Sequence, residues 1–194
     1  MFVAVASSSL QKSLPPKHPN LVALVDVAVY EHRGATLVQI LMEYCPGKCV
    51  LITARHQTNS FRPGSIVDLM NQRLPNHFEE KEILSMFAQV SVGLAVLHYM
   101  HPPLIHRDIK VENVLVGRDR RFKLCDFGSS TTRVIDNFTA GAIALADEEI
   151  QKFTTLAYRA PEMVDLYQKQ VVNEKVDIWV CLLYAVLPSF FFSF

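Results

Sequence analysis

His106-Arg107-Asp108-Ile109-Lys110-Val111-Glu112-Asn113 is the stretch whose reading decides the fold. The amide of Asn113 follows the carboxylate of Asp108 by five residues, with Lys110 between them. Asp126-Phe127-Gly128 and then Ala160-Pro161-Glu162 come later in the chain. Any one of these tripeptides is a weak signal, and a lone Asp-Phe-Gly reads as a turn. All three in this order, with the asparagine at that spacing, leave little room for coincidence.

Upstream of that stretch, Ile83, Leu84, Phe87, Val90, Leu94 and Leu97 recur at steps of three or four, which predicts a helix from about Glu79 to Tyr99. Met100 to Pro103 end it. Earlier still, Leu21 to Val29 and Ala35 to Met42 are β-prone runs joined through Glu31, His32, Arg33 and Gly34, a hairpin signal. Pro46-Gly47 marks a turn, and Ser65-x-x-Asp68 resembles a helix-opening capping box with Ile66, Leu69 and Met70 on its apolar face. Downstream, short strands and loops are expected through Gly128, then a polar segment to Thr155 and a helical finish. No internal repeat is visible. A few strands followed mostly by helices predict an α+β chain with a small sheet lobe and a larger helical lobe.

The 194 residues are 50% apolar and 20% charged, a globular composition. Lys plus Arg equals Asp plus Glu at 19 each, which leaves no electrostatic footprint for nucleic acid. Cys45, Cys49, Cys125 and Cys181 form no CxxC and have no zinc spacing, so they read as reduced cytosolic thiols. Met1 to Leu10 has no basic residue ahead of its apolar run, unlike a secretory signal. Ile178 to Phe194 is almost free of polar side chains, but Pro188 interrupts it and Asp177 heads it. We read it as a buried core helix rather than an integral membrane span.

The three motifs are the H-R-D-x-x-x-x-N, D-F-G and A-P-E signatures of protein kinases, and the chain resembles that family. The resemblance implies a kinase-like two-lobed fold, with ATP and Mg²⁺ as cofactors and a protein as substrate. By the resemblance, Asp108 accepts the proton of a substrate hydroxyl, Lys110 offsets charge on the γ-phosphate, and Asn113 and Asp126 hold the metal. Lys110 and Thr155 point to Ser/Thr rather than Tyr specificity. Leu41-Met42-Glu43-Tyr44-Cys45 resembles a kinase hinge: Met42 as gatekeeper, the backbone of Glu43 and Cys45 on the adenine edge, Leu115 as floor, and Cys125 lining the pocket. His106 reads as structural. Arg107 reads either as a partner for activation-loop phosphates or as a loop ion-pair partner. Tyr158 and Trp179 read as core.

The closer resemblance is to the Numb-associated kinases, over residues 18–47 and 64–179. It rests on Ser65 to Leu74, His106 to Leu115, Leu124 to Ser129 and Thr154 to Tyr167. It implies clathrin-adaptor or actin-patch substrates, a role in endocytosis and a cytoplasmic or membrane-peripheral location. It also places Asp147 to Ile150 in an activation-segment helix. The chain departs from the pattern in having no G-x-G-x-x-G and no V-A-I-K lysine, and in carrying Lys48 to Pro63 between hinge and helix. The expected layout is a lead-in over 1–17, a partial small lobe and hinge over 18–45, and a partial helical lobe over 46–194. Within the last, 48–63 reads as an insertion or splicing artefact, and the central helix beginning at Asp177 reads as cut short. A weak or inactive kinase fragment is therefore expected, with a pseudokinase-like scaffold as the alternative.

Overall fold

The structure, a computed structural model, describes residues 17–32, 35–45, 52–53, 65–67 and 78–181. Most of the 1–17 lead-in, of 48–63 and of the apolar tail lies outside these residues, as does nearly all of the helix expected after Ser65. The chain divides into two compact units, Met1–Asn76 with Val111–Gly128, and His77–Lys110 with Ser129–Phe194. Small sheets in the first and helices in the second make the chain α+β.

In the first unit, β1 (Leu24–His32) and β2 (Ala35–Met42) form the expected antiparallel hairpin, with Val29 opposite Val38 and Tyr30 opposite Leu37. A two-residue strand, β3 (Ile52–Thr53), pairs with Ile40 and Gln39 on the other edge of β2. The first strand starts three residues later than its apolar run. Leu21 and Val22 are almost fully buried and run alongside β5 (Phe122–Leu124) instead, where Val22 N–H donates to Leu124 O at 2.8 Å and Leu124 N–H to Asn20 O at 2.9 Å. The side-chain amide of Asn20 donates to Phe122 O at 2.9 Å, fixing that register. Burial against a distant strand outweighs the local continuity of the β-prone run.

β4 (Val114–Val116) and β5 form a second hairpin, Val114 opposite Leu124. Its turn requires Gly117, where a Cβ would meet Asp119 Oδ1 at 2.6 Å and Lys123 Cε at 2.8 Å. The lysine stem crosses the space that a side chain would fill.

In the second unit, α1 (Glu80–His98) forms as the periodicity predicts and buries Val90, Leu94 and Leu97 of the expected stripe together with Met86, whereas Ile83 and Phe87 are half-buried and Leu84 is exposed. Glu82 reaches back to accept the Glu79 N–H at 3.0 Å, closing the first turn. The segment read as polar contains a fourteen-residue helix, α2 (Ala140–Phe153), capped by Thr139. It buries Ile143, Ala146 and Ile150 among Ile105, Met163, Leu166 and Val176. Three small or β-branched residues on one face are a short apolar stripe, which is why the eye reads the segment as polar. Pro161 opens α3 (Pro161–Val164) at the position where its missing N–H costs nothing. Residues 175–181 are helical and bury Val176, Asp177, Val180 and Cys181. Trp179, expected in the core, is 39% exposed, because the helix turns its neighbours 176, 177 and 180 inward instead.

Candidate active site

Asp108, Lys110 and Thr155 are brought together in the second unit, although 45 residues separate the last two. Thr155 Oγ1 donates to Asp108 Oδ1 at 2.7 Å, and Lys110 Nζ donates to Asp108 Oδ2 at 2.7 Å. Lys110 Nζ also donates to Thr155 Oγ1 at 3.2 Å, closing a triangle. A carboxylate thus presents one oxygen to an ammonium and the other to a hydroxyl. Such charge-assisted bonds are stronger and more directional than neutral ones.

The loop is shaped by Asp177, which is 1% exposed. Its Oδ2 accepts the His106 N–H and its Oδ1 the Arg107 N–H, both at 2.8 Å. His98 Nε2 lies 3.0 Å from Asp177 Oδ2. These bonds hold Arg107 at φ 68°, a conformation unusual for a long side chain. His106 is fully buried, in keeping with a structural role. Arg107 takes up the ion-pair role, its Nη1 bonding Glu149 Oε1 at 2.5 Å. Sequence reasoning missed Asp177 as an anchor. A single acid at the head of an apolar run was the available signal, since a buried carboxylate must find donors. Nothing local marks the Glu149 contact.

In the first unit, Val22, Cys45 and Cys125 form a buried cluster against which Met42 and Leu115 pack. Four of the five residues expected around the adenine are therefore in one cluster. The fifth, Glu43, hydrogen-bonds through its backbone N–H to Ala23 O at 2.9 Å. Its carboxylate meets Lys123 Nζ at 2.8 Å, a partner the sequence did not suggest. Burial, then the nearby Glu43 charge, pushes the Cys45 thiol up to about 11, so it stays protonated and packs as an apolar group. Arg118 lies over the Tyr44 ring, 5.0 Å from its centroid.

Asn113 and Asp126 sit at the open end of the β4–β5 hairpin. Cys125 N–H donates to Asn113 O at 2.9 Å, which brings the backbone of Asp126 one residue beyond that of Asn113's partner. Asp126 adopts φ 62° and accepts the Gly128 N–H at 3.3 Å. Aspartate tolerates that left-handed conformation better than most residues. One amide and one carboxylate are hard oxygen donors. They suit Mg²⁺, which is held by one or two side chains and shares phosphate oxygens and water. Among the described residues no cluster of three or more His, Cys, Asp or Glu could hold a metal without such help. Nor is any described helix long and apolar enough to cross a membrane.

The protein kinase domain family matches residues 8–190. A Dictyostelium discoideum protein named "Probable serine/threonine-protein kinase" is 44% identical over 175 residues, covering 87% of this chain and 20% of the relative. "Actin-regulating kinase 1" of Saccharomyces cerevisiae is 40% identical over 148 residues, covering 76% of this chain and 21% of the relative. The chain thus spans about a fifth of the length of these relatives. In the crystal structure of the yeast RNA polymerase II CTD kinase complex, one chain superposes with a TM-score of 0.65 at 20% identity, covering 97% of this chain and 50% of that one. The fold is therefore kinase-like, and the chain belongs to the protein kinase family, with serine/threonine kinases among its relatives.

Proposed function

We propose that the chain carries the phosphoryl-transfer residues of an ATP-dependent Ser/Thr protein kinase of the Numb-associated kind, and that its own turnover is weak. The observation that carries this reading is the hydroxyl of Thr155 seated 2.7 Å from Asp108 Oδ1 beside the Lys110 ammonium. A substrate serine or threonine hydroxyl needs the same carboxylate as proton acceptor. Lys110 supplies positive charge for the transferring phosphate. Glu43 and Cys45 offer backbone groups to the adenine, with Met42, Leu115 and Cys125 as apolar walls. Asn113 and Asp126 hold Mg²⁺, which neutralises charge on the phosphates when bound.

Weak turnover follows from the sequence, which has neither the glycine-rich loop nor the V-A-I-K lysine. Each missing donor to a transferring phosphate costs ~10²–10³ in rate. That same feature favours a second reading, a nucleotide-binding scaffold without transfer. The relative named for actin regulation supports substrates of the actin machinery; clathrin-adaptor substrates and a cytoplasmic or membrane-peripheral setting rest on the Numb-associated resemblance alone. Incubation of the purified chain with radiolabelled ATP, Mg²⁺ and a generic protein acceptor tests the reading. Slow label incorporation on serine and threonine, abolished in Asp108→Asn, is expected. ATP binding with no incorporation above the Asp108→Asn blank would leave the scaffold, and incorporation insensitive to that substitution would refute the assignment.

A further inference from the structure

Lys123 lies on β5 and is only 8% exposed, a rare degree of burial for a lysine. It stands opposite Leu115 in the β4–β5 register, and its stem runs through the space that Gly117 leaves without a side chain. Its Nζ meets Glu43 Oε1 at 2.8 Å. The Cys45 Sγ lies 3.9 Å from that same oxygen, within reach of a weak S–H donor. One carboxylate oxygen therefore ties residues 43 and 45 to each other and to β5. Between them, the Tyr44 ring lies under Arg118 of the same hairpin, 5.0 Å from its centroid. The β4–β5 hairpin thus grips the 43–45 segment through an ion pair and through a ring.

We propose that Lys123 is a positioning residue for nucleotide recognition: through the Glu43 carboxylate it fixes the backbone of residues 43 to 45 against the β4–β5 hairpin. This role rests on residues 43 and 45 being the ones whose backbone holds the adenine. An adenine edge presents one N–H donor and one ring-nitrogen acceptor, so it needs a carbonyl and an N–H at a fixed separation. Two backbone groups on one short segment supply that separation only when the segment is held before the base arrives. The Glu43 side chain is 27% exposed, and without the ammonium its carboxylate would turn to water and release the segment. Because Glu43 keeps part of its hydration, the pair adds little to global stability, and its effect is local order.

Amide hydrogen exchange on the full, nucleotide-free chain reads the anchoring. Lys123→Met keeps the stem and removes the charge, and amides 43–45 should exchange roughly fivefold faster while β4, α1 and the urea midpoint are unchanged. Glu43→Gln should do the same, and the double variant should be no worse than either alone, because both remove one contact. Titrations with ATP and with GTP then read what the anchoring is for. ATP should bind Lys123→Met roughly fivefold more weakly with GTP affinity unchanged, since the guanine edge carries the reverse donor and acceptor order. Unchanged exchange at 43–45 in Lys123→Met would overturn the proposal. So would additive losses in the double variant, equal loss of ATP and GTP affinity, or a fall in urea midpoint with the faster exchange, which would mark Lys123 as a general stabiliser. No ATP binding by the wild type beside faster exchange in Lys123→Met would refute the nucleotide reading and leave the anchoring, so the two failures are distinguishable.

Discussion

Around Asp108 the chain is held by charge. Asp177 accepts two backbone N–H groups, Lys110 and Thr155 converge on Asp108, and Glu149 joins Arg107 to Arg133. Around Cys45 it is held mostly by apolar contact, with Val22, Met42, Leu115 and Cys125 packed about the thiol and the Glu43–Lys123 ion pair at the edge. The two regions should therefore fail differently. The first tolerates changes of volume but not the loss of one oxygen. The second tolerates changes of polarity at its rim but not the loss of a methyl group from its interior.

The largest effect expected is on transfer. Asp108→Asn should lower label incorporation by ~10²–10⁴-fold while ATP affinity is retained, because only the charge-held region is touched. A parallel loss of nucleotide affinity would break the comparison. Next comes the apolar region: Leu124→Ala empties a fully buried position beside Cys125 and should cost about 3 kcal/mol, read as a shift in urea midpoint. Asp177→Asn has nearly the same shape but replaces one acceptor oxygen with a donor. It should cost about 2 kcal/mol and speed exchange at His106 and Arg107.

The smallest effect concerns Cys45. Its folded pKa stands at about 11, above the ordinary 9.0, so the buried thiol favours the folded state fully below about pH 9, and that contribution is lost as pH rises toward about 11. At pH 8 its reaction with a thiol-specific disulfide should be about a hundredfold slower than that of a free cysteine. Fast labelling of Cys45 in the folded chain would show that the apolar packing is not closed.

The same contrast explains what was legible in the sequence. The β1–β2 hairpin and α1 were readable because each is written in local periodicity. The stretch from His106 to Asn113 was readable because its chemistry fixes both residue type and spacing. Asp177 reaches back 70 and 71 residues to the loop it anchors, and Asn20 reaches 102 residues ahead to Phe122. No window on the chain contains both partners of either contact. Leu21 and Val22 went to β5 rather than to the first strand for the same reason: a long-range surface competed with a local pattern and buried more. Glu149 and Lys123 carry no local mark at all. They are ordinary charged residues until folding brings the guanidinium of Arg107 and the carboxylate of Glu43 beside them.

The most direct test is an ATP titration of isotopically labelled chain in the presence and absence of Mg²⁺, following the backbone amides of Glu43 and Cys45. Mg²⁺-dependent shifts are expected at both amides in the wild type and in Asp108→Asn, with the Mg²⁺ dependence gone in Asp126→Asn. Shifts in Asp126→Asn that respond to Mg²⁺ as the wild type does, or no response at Glu43 and Cys45 at saturating ATP, would contradict it.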